Sequence, residues 1–262
     1  LWARRPLLFC RKCYNKGKSR NSSGSDTVQY KEIIPAIFHK RINRFIAEVW
    51  ISGELERVHV KNTGRLKELL VPEREVFLEV ADHPHRKTKY SLIAVNRDGS
   101  LVNIDSQAPN QVAYEALREG KIKELGKPLT VKKEVTYQKS RFDLYFENGE
   151  ERGFIEVKGV TLAKDGVAMF PDAPTTRGTK HIDELVKAVE DGYRAVILFI
   201  IQMQGCRVFT PHTEMDPEFS KSLVRAARSG VEILAYDCDV RQEGFTLKGQ
   251  VPVQLPPWEE CQ

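Results

Sequence analysis

Asp143, Glu156 and Lys158 are the residues of this chain whose types and spacing can do chemistry, within the run SRFDLYFENGEERGFIEVKGV. Glu156 and Lys158 alternate with Ile155 and Val157, so a strand aims both charges at one face. Asn148-Gly149 supplies turn chemistry, and a hairpin there brings Asp143 back alongside them. Two carboxylates so placed can hold Mg²⁺, with Mn²⁺ as the alternative, while the ion keeps waters for exchange with phosphate oxygens. Lys158 can then orient or help deprotonate an attacking water, and the metal offsets charge developing on the phosphate. A half-exposed strand also reads I-E-V-K with a merely solvated charged face, and Lys158 can equally pair with an acid in a structural ion cluster.

Other charges gather around this core. Glu134, in the preceding run KKEVTY, offers a further acid. Arg141 precedes Asp143 by two and shares its face, where it can clamp a phosphate bidentately or only neutralise the acids. Arg177, Lys180 and His181 open a helix, whose free N–H groups favour anions. His181 reads as a phosphate contact or proton carrier, and equally as a satisfied surface histidine. His83 and His85 flank Pro84 in a basic loop without a third ligand, and Cys10 and Cys13 have knuckle spacing without a second pair.

The elements that position these residues follow from periodicity. Between Tyr30 and Val95 the runs RFIAEVWI, ERVHVKNT, REVFLEV and KYSLIAV, separated by turn residues, describe a small barrel. Its connections carry Lys40, Arg41 and Arg44, then Lys61, Arg65 and Lys67, then Arg86, Lys87 and Lys89. They read as solvated loops or as a polyanion footprint. Trp50, Phe77 and Tyr90 are candidates for base stacking, with at least two of them expected in the core. Beyond Pro109, helices interleave with KKEVTY, RFDLYF, GFIEVKGV, AVILFII and VEILAY, which argues for an α/β layer architecture. Ile182, Leu185, Val186 and Val189 recur at helical spacing before Gly192, and Asp216-Pro217 opens a helix that Gly230 closes.

Composition limits the function classes. Of 262 residues, 41% are hydrophobic and 29% charged, and the longest apolar run, AVILFII, is too short to span a membrane. The net charge is +5, but residues 1–26 hold seven of the 41 basic and one of the 36 acidic residues. The remaining 34 and 35 nearly cancel, so any polyanion surface on the body must be a local cluster. Five scattered cysteines suggest free thiols in a reducing compartment. Residues 1–29 are basic and Ser-rich, and are expected to be disordered. They read as a transit segment or as upstream sequence, so the compartment is cytoplasmic or, with a transit segment, organellar.

NRFIAEV, HVKNTGRLKELLVP, RKTKYSLIAV, IDSQAPNQV, SRFDLYF, FIEVKGVTL, FPDAPTTRGTKHIDEL and GVEILAY together resemble the sugar fermentation stimulation protein A family, from about Tyr30 to Leu255. The resemblance implies an α/β (mixed) fold: an OB-like barrel over 30–100, then a PD-(D/E)XK nuclease-like domain over 101–255 and a tail. It implies DNA rather than RNA as partner and a proposed role in regulating sugar-utilisation genes. It places the nuclease-like signature on Asp143 and Glu156-Val157-Lys158, with Glu134 as accompanying acid and Asp143 and Glu156 as metal ligands. Arg44, Arg65, Arg86, Lys87, Lys89, Arg141, Arg177 and His181 are the expected nucleic-acid contacts. Glu73-Arg74 stands where relatives commonly have Pro-Gly. The readings left open are a metal-dependent phosphodiesterase, a non-catalytic DNA-binding regulator and a nucleotide phosphohydrolase.

Overall fold

A computed structural model describes residues 27–82 and 86–258, so His83, His85, Cys10 and Cys13 lie outside the described residues. The first strand, β1 (Thr27–Gln29), does not belong to the barrel that follows it. The barrel is β2 (Ile33–Arg41), β3 (Ile46–Ile51), β4 (Glu54–Val60), β5 (Glu75–Val80) and β6 (Tyr90–Arg97), extended by β7 (Ser100–Asn103). The order is β4-β3-β2-β5-β6-β7, and a parallel pairing of β4 with β6 closes five strands on themselves. Closure follows from alternation: Val49, Val58, Leu78 and Val95 turn inward around Phe38, while Trp50 and Arg57 stay outside.

The second unit begins with α1 (Ala108–Glu119) and the strands β8 (Thr130–Tyr137), β9 (Ser140–Asn148) and β10 (Glu151–Val160). Two short strands, β11 (Leu162–Lys164) and β12 (Val167–Phe170), lead to α2 (Thr176–Glu190), β13 (Arg194–Ile201) and β14 (Val208–Pro211). The chain ends with α3 (Pro217–Arg228), β15 (Glu232–Arg241) and β16 (Gly244–Gln250). Seven strands form one sheet, β1-β16-β15-β13-β10-β9-β8, in which β10, β13 and β15 run parallel. Helix α1 packs on one face with Leu144, Ile155, Val157 and Leu198, and α2 and α3 on the other with Phe154, Ile197 and Phe199. Burial on both faces is why β13 reads as an unbroken apolar run. The expected caps are present: Asp216 accepts the Phe219 N–H at 2.9 Å, and Gly192 (φ 84°) and Gly230 (φ 94°) follow their helices.

Two expected boundaries move. Thr27–Gln29, placed in a disordered leader over 1–29, pair antiparallel with β16. Their short polar sequence carries no strand signal; the partner strand and close packing supply it. A Cβ at Gly244 would lie 1.8 Å from the Val28 carbonyl oxygen, so β1 runs where only glycine leaves room. The division at 100/101 falls inside β7, which completes the barrel sheet. From there the Asn103 N–H donates to the Gln202 carbonyl at 2.9 Å, and Gln202 Nε2 donates to Asn103 Oδ1 and the Asp105 carbonyl, both at 3.0 Å. These bonds fix the barrel to the end of β13.

Candidate functional site

The β9–β10 hairpin closes at Asn148 and Gly149, the latter at φ 67°, in the left-handed region a tight turn needs. Its ladder runs from Glu151↔Asn148 to Ile155↔Leu144 and stops one pair short of Asp143 and Glu156. The carboxylate takes over there: Asp143 Oδ2 accepts the Val157 N–H at 2.8 Å, and Oδ1 accepts Asn110 Nδ2, from α1, at 2.7 Å. The neighbouring β8–β9 ladder also skips this level, passing from Lys133↔Leu144 to Val135↔Phe142. The skipped residue is Glu134, at φ 54°, a costly backbone setting for a non-glycine residue in a strand. Both interruptions fall at Asp143 and open the sheet there.

Glu156 lies on β10 facing α2 and is only 3% exposed. Lys158 Nζ donates to its Oε1 at 2.6 Å, and His181 Nδ1, from the second turn of α2, contacts the same oxygen. The other oxygen, Oε2, is buried and has no hydrogen-bond partner. Burial pushes the Glu156 carboxyl up, but hydrogen bonds and charge from His181 and Lys158 outweigh it and hold it below the ordinary carboxylate range. Asp143 moves the other way: burial first, then the Glu156 charge, raise it, against the Val157 N–H, Lys158 and Asn110. Two acids in one site, one held ionised and one pushed toward its protonated form, are what an added cation would even out.

A cleft of about 240 Å³ reaches Asp143, lined also by Gln107, Asn110, Gln111, Lys133 and Glu134. Glu134 is exposed and pairs with Arg141 at 3.6 Å, so both expected residues stand at its mouth. Arg177 and Lys180 are exposed on the first turn of α2. His181, expected as a nucleic-acid contact, is instead 8% exposed and turned inward on Glu156; a buried acid draws the ring in. Asn110 escaped the sequence reading, because a side-chain bond from α1 to β9 leaves no local pattern. Among the described residues no three His, Cys, Asp or Glu side chains are gathered so as to hold a metal. Asp143 with the free Glu156 oxygen nevertheless fits Mg²⁺, which takes one or two carboxylates and fills its shell with waters and phosphate oxygens.

The barrel carries a second concavity, about 500 Å³, lined by Arg41, Asn43, Arg44, Thr63, Gly64, Arg65, Lys67 and Leu70. Arg44, Arg65 and Lys67 are exposed, but Arg41 is not a free cation. Its guanidinium donates to the carbonyls of Asn43, Arg44, Asn62, Gly64 and Arg65 at 2.6–3.1 Å, clasping the two loops that form the cleft. Arg86, Lys87 and Lys89 are exposed in the β5–β6 connection, where Arg86 reaches Ser91 Oγ at 3.1 Å. Of the aromatic candidates Phe77 is buried, Tyr90 half-buried and Trp50 exposed.

Two family descriptions match successive parts of the chain: the SfsA N-terminal OB domain over residues 40–104 and the sugar fermentation stimulation protein RE domain over 107–244. A sugar fermentation stimulation protein homolog from Alkaliphilus oremlandii is 52% identical over 231 residues, covering 86% of this chain and 98% of that protein. The homolog from Clostridium tetani is 52% identical over 227 residues, with the same coverage of each. A solved structure described as Pyrococcus furiosus SfsA in complex with Ca²⁺ superposes with a TM-score of 0.78 at 30% identity. That match covers 87% of this chain and 98% of the other.

Proposed function

This chain belongs to the sugar fermentation stimulation protein family, and we propose that it binds DNA and cleaves it as a divalent-cation-dependent phosphodiesterase. One observation carries the reading: Glu156 is buried with one oxygen held by Lys158 and His181 and the other unpartnered, close enough to Asp143 for its charge to raise that carboxyl. The Ca²⁺ in the Pyrococcus relative supports a cation in this fold. A bound Mg²⁺ or Mn²⁺ supplies charge neutralisation at the scissile phosphate and a more acidic water.

The chain's own residues supply the rest. Asp143 and Glu156 would hold the ion, and Lys158, paired with Glu156 and 15% exposed at its side chain, would orient the attacking water. His181 fixes the rotamer of Glu156 and acts as a positioning residue. Arg141 at the cleft mouth and Arg177 on α2 offer cations to the phosphate. Water oxygen attacks phosphorus, one P–O ester bond breaks, a water proton ends on the leaving oxygen, and a phosphate monoester and an alcohol leave. The barrel's Arg44, Arg65, Arg86, Lys87 and Lys89 hold the backbone away from the chemistry. Bacterial relatives and the free thiols of Cys206 and Cys238 support a cytoplasmic setting.

A second reading, a regulator that binds without cleaving, is favoured by the closed Lys158–Glu156 ion pair at 2.6 Å. Incubation of single-stranded and duplex DNA with Mg²⁺ or Mn²⁺, beside Lys158→Ala and an EDTA control, separates the two. Metal-dependent cleavage lost in Lys158→Ala while affinity persists is the expected result. Binding without cleavage by the native chain in either metal overturns the enzyme.

A further inference from the structure

On the outer face of the barrel, Ile37 of β2, Trp50 of β3 and Leu55 of β4 are directly opposite one another across the sheet. Each is an exposed large hydrophobic residue, at 36%, 37% and 45%. The β-bulge between Phe38 and Lys40 brings the His39 ring edge-on to the Trp50 indole, 5.6 Å between centroids. Phe77, on β5, is buried with Tyr30 and Ile93, so the β5 side of the barrel is covered and the β3–β4 side is not.

One row further along the same face, Glu48 is flanked by Lys40 and Arg57, each 3.3 Å from its carboxylate, which leaves that row one positive charge. The next row holds His59, whose nearest charges include Arg86 and Lys61. Beyond it lie Arg44 at the β2–β3 turn, with Phe45 beneath its guanidinium at 5.0 Å, and the Arg65 and Lys67 side of the cleft. The acids nearby are Glu79 and Asp105, which pair with Lys61 at 2.7 and 3.3 Å, Glu75, bonded to Asn96, and Glu54 at the far turn. Cations at one end and an uncovered indole at the other are thus joined along β3 over about 20 Å, at roughly 3.3 Å per residue.

Resting on the nucleic-acid reading above, we infer that this face is a track for a single strand, with Trp50 as its base-stacking platform. Lys40, Arg57 and Arg86 contact successive phosphates, and Arg44, Arg65 and Lys67 receive the strand at the cleft. The closed five-stranded order with a parallel β4–β6 pairing is that of an OB barrel, whose second- and third-strand face binds oligonucleotides; here that face is β3–β4. A duplex keeps its bases stacked inside and offers Trp50 nothing to stack on, so the chemistry favours an unpaired strand.

The test is fluorescence anisotropy of the full chain with a labelled twelve-nucleotide oligo-dT and a duplex of equal length, in EDTA so that nothing is cleaved. Trp50→Ala should weaken single-strand binding roughly 5- to 150-fold, the span of one base–aromatic stack, with duplex binding changed less than twofold. Trp50→Phe should keep most of the affinity, which guards against a folding artefact, and Arg57→Gln should lower the salt dependence. Single-strand affinity unchanged in Trp50→Ala overturns the track while leaving nucleic-acid binding standing. Binding of neither probe by the native chain overturns both. Sedimentation of a native dimer that Trp50→Ala makes monomeric also overturns it, by assigning the face to a second copy of the chain.

Discussion

Replacing Lys158 with alanine isolates the electrostatics on which the site depends. Glu156 is 3% exposed and keeps only His181 on Oε1 once Lys158 is gone, with Oε2 already unpartnered. Breaking a buried ion pair from one side costs about 3–5 kcal/mol, because a charge is left in low dielectric. Lys158 retains 15% side-chain exposure, so water relieves part of this and the expected loss is about 2–4 kcal/mol near pH 7.5. The sign with pH is fixed. The depressed Glu156 pKa contributes stability above the unfolded value, and that stability fades as pH falls through the folded one. Without Lys158 the balance tips toward burial, so the penalty is fully present above the unfolded Glu156 value and fades as pH falls through the depressed folded one. Urea unfolding of native chain and variant at several pH values in EDTA, closed into a cycle with Glu156→Gln, reads it directly. A loss under about 0.5 kcal/mol at pH 7.5, or one independent of pH, refutes the reasoning.

Asp143→Asn should behave oppositely. Its carboxyl is raised by burial and by Glu156, so ion-free folding pays more for it as pH climbs past the unfolded value. The amide, with Asn110 turned over, should therefore stabilise the ion-free chain by about 1 kcal/mol at pH 7.5 in thermal melts. Gly244→Ala should cost about 1–3 kcal/mol and speed amide exchange in Thr27–Gln29, since its Cβ meets the Val28 carbonyl. Arg41→Lys cannot reproduce a fork shared among five carbonyls and should lower stability by about 2 kcal/mol in urea. Arg65→Ala should leave stability alone and reduce the slope of log affinity for a single strand against log salt by about 0.7.

Alternation in I-E-V-K and the Asn148-Gly149 turn were enough to place Asp143, Glu156 and Lys158 together, because strand periodicity and hairpin chemistry are local. The helices over 176–190 and 217–228 were legible for the same reason, through their spacing and caps. What stayed hidden depends on distant partners. Arg41 reads as one more basic loop residue, yet its charge is consumed by five carbonyls from two loops. β2 holds Pro35 inside its apolar run and β16 is broken by Thr246, Lys248 and Gly249, so neither announces a strand, and pairing on both sides forms them. His181 looked like a surface contact because nothing in its neighbours shows that Glu156 waits beneath it. The positive φ of Glu134 has no sequence signal, and it is one of the features that part the strands at Asp143.

Calorimetric titration of the metal-free full chain with Mn²⁺ and Ca²⁺ puts the central claim to its most direct trial, beside Glu156→Gln and Asp143→Asn. A single saturable site in the native chain, weakened at least tenfold in both variants, is the predicted result. Native binding that neither substitution weakens, or no binding by the native chain, would contradict it.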